Sequence, residues 1–261
     1  MKFYLGTHHP HWLKRTDVPL FVSRHALCRL VQLPRALGPW ALDSGAFTML
    51  RDHGEWLIPP GEYAAEVRRW RDEIGNLQWA APQDWMCEDV VISGCAGFKG
   101  TGLCVAAHQR LTVQNYVELK TIAADLPWIP VLQGYSEADY LRCRDLYDVY
   151  GIDLTACPVV GLGSVCRRQH TGMAEDLIRR LHSERLTLHA FGFKLTGLRR
   201  TARYLASSDS LAWSFDARRS DPLPGCPHRS CANCMTYALW WRGKVLRAIA
   251  GSLRVEQGIL F

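Results

Sequence analysis

The sequence predicts an α/β protein built as a (β/α)8 TIM-like barrel. Three observations carry that reading. Short apolar runs alternate with helical patterns along the whole chain, as parallel strands joined by crossover helices require. About eight strand–helix units fit into 261 residues, close to the roughly 250 of a single α/β barrel. No GxGxxG string follows the first strand, which weakens the open dinucleotide-binding sheet.

The strands are expected at residues 2–6, 20–23, 40–43, 77–81, 128–133, 155–160, 188–191 and 211–215. Between them, Pro59 and Pro60 open a helix over 62–74, where an N-terminal turn tolerates proline. Ala174, Leu177, Ile178 and Leu181 repeat at i, i+3, i+4 and i+7, one face of a helix. Leu198, Ala202 and Leu205 do the same at i, i+4 and i+7. Residues 87–111 read as a long irregular insertion holding Gly94, Gly97, Gly100 and Gly102; long loops in compact domains are often functional. A last helix is expected from near Cys231 to beyond Ile249. The barrel is expected to occupy 1–225, and a small metal-binding insertion with the closing helix 226–261.

Composition narrows the function classes. Hydrophobic residues are 48% and charged residues 21%, which excludes a mostly disordered chain. No run approaches the ~18 apolar residues of a membrane span. The N-terminus lacks the apolar stretch of a signal peptide, so a cytoplasmic protein is expected. The net charge is +6, with 25 Arg against 6 Lys. Guanidinium forks match phosphate oxygens, and this balance points to a nucleic-acid partner. High genomic GC content would enrich Arg as well.

In a barrel, chemistry belongs at the C-terminal ends of the strands. Those ends carry Asp43-Ser44-Gly45, Asp84, Gln133-Gly134, Gly161-Leu162-Gly163-Ser164 and Gly192-Phe193-Lys194. Barrel geometry would bring three carboxylates, Asp43, Asp84 and Asp209, to one rim. Taken singly, each fits a helix cap or a turn.

Ten cysteines without an export signal do not form a disulfide framework. Seven are scattered and read as small buried hydrophobes. The other three lie in Cys226-Pro227-His228-Arg229-Ser230-Cys231-Ala232-Asn233-Cys234, three thiolates and one imidazole within nine residues. The Cys231-x-x-Cys234 spacing suits a zinc knuckle, with Cys226 and His228 at the remaining corners of a closed, structural site. A free-thiol turn and a redox pair are the alternatives.

At this point the order of motifs resembles the tRNA-guanine transglycosylase superfamily, from about Trp40 to Tyr237. Asp43-Ser44-Gly45-Ala46-Phe47, Val131-Leu132-Gln133-Gly134, Val160-Gly161-Leu162-Gly163, His189-Ala190-Phe191-Gly192, and Asp209-Ser210 followed by Ala217-Arg218-Arg219 and the cysteines each match weakly and together match strongly. The string Gly161–Arg168 and the cysteine cluster are similar to the short 7-deazaguanine DNA transglycosylases, the DpdA family. The resemblance implies exchange of guanine in DNA for a 7-deazaguanine such as 7-cyano-7-deazaguanine. The family's cysteine spacing differs, with Cys-x-Cys-x-x-Cys and a distant His.

By that resemblance Asp209 is the nucleophile that traps C1′ of the sugar, with Asp216 as its rival. Asp43 is the proton-moving carboxylate. Asp84 and Gln133 read the guanine edge, and Gly134 completes their motif. The backbone N–H groups of Gly161, Leu162 and Gly163 can donate to O6. Phe47 and Phe191 form the stacking walls. Arg167, Arg168, Lys194, Arg218 and Arg219 can meet phosphates of a duplex whose guanine has left the stack. The implied cofactor is structural Zn2+, and the implied partners are duplex DNA and the deazaguanine base; a homodimer is compatible with the family. Three other readings stand beside this one. They are a transglycosylase acting on tRNA, a catalytically silent nucleic-acid-binding barrel, and a metal-dependent hydrolase using His8, His9 and His11.

Overall fold

The computed structural model describes residues 1–166 and 172–257, with side chains described up to Ser252. Its strands are β1 (Lys2–Thr7), β2 (Leu20–Ser23), β3 (Trp40–Asp43), β4 (Leu77–Ala80), β5 (Val131–Leu132), β6 (Val160–Leu162), β7 (Leu188–Ala190) and β8 (Ser207–Ser210). Its helices are α1 (Arg24–Leu27), α2 (Ala46–His53), α3 (Pro60–Ile74), α4 (Asp89–Ile92), α5 (Val105–Ile122), α6 (Glu137–Val149), α7 (Gly172–Ser183), α8 (Leu195–Thr201), α9 (Ala212–Ala217) and α10 (Met235–Gln257). No helix among the described residues is long and apolar enough to cross a membrane.

The strands form one curled, all-parallel sheet in the order β4-β3-β2-β1-β8-β7-β6-β5. β1 and β8 sit in the middle; the chain runs outward from β1 to β4 at one edge, then from β5 at the other edge inward to β8. The expected closed barrel is corrected here: no ladder pairs β4 with β5. A single parallel bridge, Ala80 to Trp128, spans that seam. It holds by Ala80 N–H donating to the Pro127 carbonyl at 3.0 Å and Ile129 N–H donating to the Ala80 carbonyl at 3.2 Å. β5 is only two residues long; Pro127 and Pro130 both precede it, and proline cannot donate to a ladder.

Side chains alternate across each strand with period two. The outward set (Phe3, Leu5, Leu20, Val22, Trp40, Leu42 and Leu188 among them) packs under the helices. The inward set is small and aromatic: Tyr4, Phe21, Ala41, Trp79 and Ile129, with Val159 and Phe191 against them. α7 buries Ala174, Leu177, Ile178 and Leu181, the stripe its spacing requires. α10 lies against α8, α9 and β1, and its Trp241 ring meets Phe3 at 6.1 Å.

Several sequence expectations shift. The strand expected at 211–215 is helix α9, and the eighth strand is Ser207–Ser210, four buried residues without one apolar side chain. Its polar atoms are satisfied internally; the Ser208 hydroxyl, for example, donates to the Ala190 carbonyl at 2.9 Å. The strand expected at 155–160 is displaced to Val160–Leu162, because Leu154–Ala156 forms a 3₁₀ turn capped by Asp153. The 87–111 insertion is partly ordered: it holds α4 and the first turns of α5. The closing helix begins at Met235 rather than near Cys231, since Cys231–Cys234 is a turn. Of the seven scattered cysteines only Cys87 and Cys143 are buried.

Candidate active site

Inward-facing positions at the C-terminal ends of the strands enclose a cavity of about 210 Å³. Asp43 closes β3, Asp84 lies beyond β4, Gln133 beyond β5, Gly163 and Ser164 beyond β6, Phe191 and Gly192 beyond β7, and Asp209 sits within β8. Phe21, Ala46, Phe47, Ala81, Met86 and Cys166 complete the wall. Three carboxylates far apart in sequence thus share one space, because the curled sheet turns the C-terminal ends of β3, β4 and β8 towards a common interior.

Asp209 is buried and fixed from two sides. Its Oδ1 accepts the Gly192 N–H at 2.8 Å, and His189 Nε2 lies 3.3 Å away. His189 is itself fully buried, with Nδ1 2.8 Å from the Ser207 hydroxyl. A carboxylate only accepts, so His189 carries its proton on Nε2 and Ser207 donates to Nδ1. The rings of Trp79 and Phe191 pack on this imidazole at 4.6 and 4.7 Å. Asp216, the rival, does not line the cavity. It accepts from the Tyr237 hydroxyl at 2.8 Å and ties α9 to α10.

Asp43 is braced by its own turn, with the Gly45 N–H donating to Oδ1 at 3.2 Å. Burial pushes its carboxyl above the ordinary value, more than the Gly45 N–H and the Ser23 hydroxyl pull it back; the charge of Asp209 adds to the rise. Asp84 accepts from Gln133 Nε2 at 2.6 Å and from the Ser44 hydroxyl at 3.1 Å. Burial first, and the charge of Asp43 second, push its carboxyl up to about 7 despite those bonds. Carboxyls raised by burial and by a neighbouring carboxylate are a frequent mark of acid–base sites.

The network continues past Gln133. Ser164 Oγ lies 2.7 Å from Gln133 Oε1 and 2.8 Å from Glu88 Oε2, and it accepts the Cys87 N–H at 2.8 Å. Ser44, Asp84, Gln133, Ser164 and Glu88 therefore form one buried polar wall.

Two expectations about the glycines are corrected. Gly134, Gly161 and Leu162 do not line the cavity. The Gly161 and Gly163 N–H groups are committed to the carbonyls of Pro130 and Leu132, at 2.8 and 3.0 Å, and neither is available to a base. Both glycines act by what they lack. A Cβ on Gly161 would stand 2.6 Å from the Phe191 ring, and one on Gly163 would stand 2.3 Å from Gln133 Nε2. Gly134 leaves room for the start of α6, where a Cβ would meet Asp139 and Tyr140 at 2.9 Å.

At the mouth, Phe47 is 37% exposed and meets Phe98 edge-on at 5.5 Å. Lys194, Arg218 and Arg219 are exposed. Lys194 precedes α8, and the Arg pair ends α9. Arg167 and Arg168 lie outside the described residues.

Sequence reasoning assigned no role to His189, Ser164, Glu88, Met86 or Cys166. His189 was within reach, since it stands two residues before Phe191 and so on the same face of β7. Ser164 was named only as part of a polar strand end, with no role of its own; its φ of 54° is a left-handed value usually filled by glycine.

Beyond α9, Cys226, His228, Cys231 and Cys234 place one ligand atom each within 4.8 Å of one another. The Cys226 and Cys234 sulfurs are 3.8 Å apart. Burial raises the Cys234 thiol, but the N–H groups of Tyr237 and Thr236 at the start of α10, with His228, outweigh it and bring the thiol down to about 7. A helix N-terminus favours thiolate in this way, and the four donors could bind a metal ion. His8 and His9 instead point both Nε2 atoms at Asn233 Oδ1 of this loop, at 2.9 and 3.3 Å. Among the described residues, no second group of three or more His, Cys, Asp or Glu converges in this way.

No curated protein matches the chain. The model of one family, described as DeoxyPurine in DNA protein A, aligns with residues 1–259, nearly every position from β1 to the end of α10. The cavity, the metal-ligand loop and the sheet that positions them all fall within that match, and the chain belongs to the DpdA family.

Proposed function

We propose that this protein modifies DNA by exchanging guanine for a 7-deazaguanine base, such as 7-cyano-7-deazaguanine, through a covalent aspartyl-glycosyl intermediate. The observation that carries the reading is the convergence of Asp209, Asp43 and Asp84 in one aromatic-walled cavity. Family membership supports DNA as the substrate.

In this mechanism a carboxylate oxygen of Asp209 bonds to C1′ as the C1′–N9 bond breaks, and the electron pair of that bond leaves with guanine. Asp43, whose carboxyl burial raises above its ordinary value, is the group that supplies the proton the departing base needs. The deazaguanine then enters and gives its N9 proton to Asp43. N9 attacks C1′, and Asp209 leaves as a carboxylate. Asp84 accepts from N1–H and the exocyclic amine, while Gln133 and Ser44 hold Asp84 in place. Phe47 and Phe191 stack on the base, a contact worth about 1–3 kcal/mol. Lys194, Arg218 and Arg219, with Arg167 and Arg168, are assigned to phosphates. We further read the sheet as a (β/α)8 barrel over 1–225 with a narrow β4–β5 seam, and 226–261 as the metal loop and closing helix.

The test is a base-exchange assay with DNA and, separately, tRNA labelled at guanine and chased with unlabelled 7-cyano-7-deazaguanine. Label leaving DNA alone is expected. Label leaving tRNA alone would move the substrate to RNA, and no release from either would sink the exchange reaction.

Two further outcomes are expected. Replacing His189 by Phe removes the bond that orients Asp209, so kcat should fall about 10–100-fold with KM little changed. His189→Gln, which keeps a donor towards Asp209, should restore much of the loss; equal defects in both variants would argue for a packing role only. Zinc suits the Cys3His donor set of the loop. Chelation, or Cys231→Ser, should lower the melting temperature by more than about 10 °C, and Zn2+ should restore the chelated protein. Unchanged melting after verified metal removal would refute a structural site.

A further inference from the structure

We propose that the outward face of α9 is a wedge that fills the gap left in a DNA duplex when a nucleotide swings into the cavity; this rests on DNA being the substrate. The face consists of Leu211 and Phe215, one helical turn apart, followed by Arg218 and Arg219. Leu211 is 44% exposed and Phe215 55%. Among the described residues neither side chain belongs to the hydrophobic core or packs against it, and an exposed apolar pair on consecutive turns marks a surface for a partner.

Its position is specific. Leu211 is two residues beyond Asp209, and two residues span at most about 7 Å. Leu211 therefore stands at the rim, just past the strand that carries the carboxylate assigned to C1′, and Phe215 lies one helical turn further along α9. It is also rigidly mounted. On the inner side of α9, the Trp213 Nε1–H donates to the Gly6 carbonyl at 2.8 Å, the Ser214 hydroxyl to the Ala232 carbonyl at 2.8 Å, and Asp216 accepts from Tyr237. A wedge must not yield when it separates stacked bases. The Arg219 guanidinium lies 3.7 Å from the centre of the Phe215 ring, so a cation backs the apolar surface. Apolar side chains pushed between base steps and flanked by arginines are a general means of opening a duplex. A second copy of this chain would prefer a face without two adjacent cations, and duplex DNA would not.

The experiment compares binding of three labelled nucleic acids by fluorescence anisotropy: a short duplex with one abasic site, its intact counterpart, and the single strand. The wild-type protein should prefer the abasic duplex about tenfold over the intact one, the scale of one base–aromatic stack. Leu211→Ala with Phe215→Ala should erase that preference and leave single-strand affinity unchanged. Leu211→Met with Phe215→Trp should keep it, and matching melting temperatures would verify folding. A wild type without preference, a double alanine variant that retains it, or equal losses on all three ligands would overturn the wedge. So would a wild-type dimer that the alanine pair converts to monomer. A preserved gap preference with a blank exchange assay would instead refute the transglycosylase reading alone.

Discussion

Asp209→Asn is expected to abolish both base exchange and the covalent DNA adduct, with a rate loss of at least about 10³-fold. The amide nitrogen is no nucleophile, and its oxygen cannot hold a sugar C1′ as an ester does. The neighbours should tolerate the change. The Gly192 N–H and His189 Nε2–H can both donate to the Asn oxygen as they do to Oδ1 of Asp209, so folding should be unaffected. Asp216→Asn is the informative partner. It weakens one bond to Tyr237 at the edge of α9 and should leave the adduct intact. If the adduct survives in the Asp209 variant and disappears in the Asp216 variant, the two assignments must be exchanged. The readout is a denaturing gel shift of labelled DNA, in which a covalent complex persists and a non-covalent one does not.

Asp84→Asn should make the protein more stable and less active. In the native state this carboxyl titrates near 7, whereas in the unfolded chain it titrates near its ordinary value of about 4. As pH rises between those values, the unfolded state ionises and the native state does not, so stability falls. Above the native value the loss is complete and reaches about 4 kcal/mol at most. The variant lacks this penalty. Its oxygen can accept from Gln133, and its amide can donate to Ser44 once that hydroxyl turns. Melting temperatures should therefore coincide near pH 4 and diverge in favour of the variant by pH 8. Parallel curves across that range would contradict the buried, raised carboxyl. Exchange should drop by at least about 10²-fold, because the amide cannot accept both donors of the guanine edge. The site is held at a cost in stability, as sites that bury charge commonly are.

How far the sequence disclosed this arrangement depended on where hydrophobicity tracks burial. β1 to β4 and β7 were legible, because their outward faces carry large apolar residues under the helices. β8 was not, since Ser207, Ser208, Asp209 and Ser210 are buried through hydrogen bonds rather than apolar area, and the apolar run beside them belongs to a surface helix. Asp43, Asp84, Gln133, Phe47, Phe191 and Asp209 could be named from motif order, and all six line the cavity. Their partners could not. Ser164 and Glu88 join the wall through backbone turns with no pattern in the sequence. The glycines were recognised, but as donors, whereas their contribution is the volume that a missing Cβ leaves. The seam between β4 and β5 was invisible, because two prolines and not periodicity decide where β5 pairs.

That seam gives one side-chain bond a second task. β4 leads to Asp84 and β5 leads to Gln133, and the 2.6 Å bond between these side chains crosses above the one backbone bridge that joins the strands. The pair assigned to reading the base is thus also a clasp on the least paired edge of the sheet. Amide protons of Ala80 and Ile129 should be the first in the sheet to exchange with solvent when that edge breathes. A base seated on Asp84 would slow them, so occupancy of the cavity and closure of the fold are one equilibrium viewed from two sides.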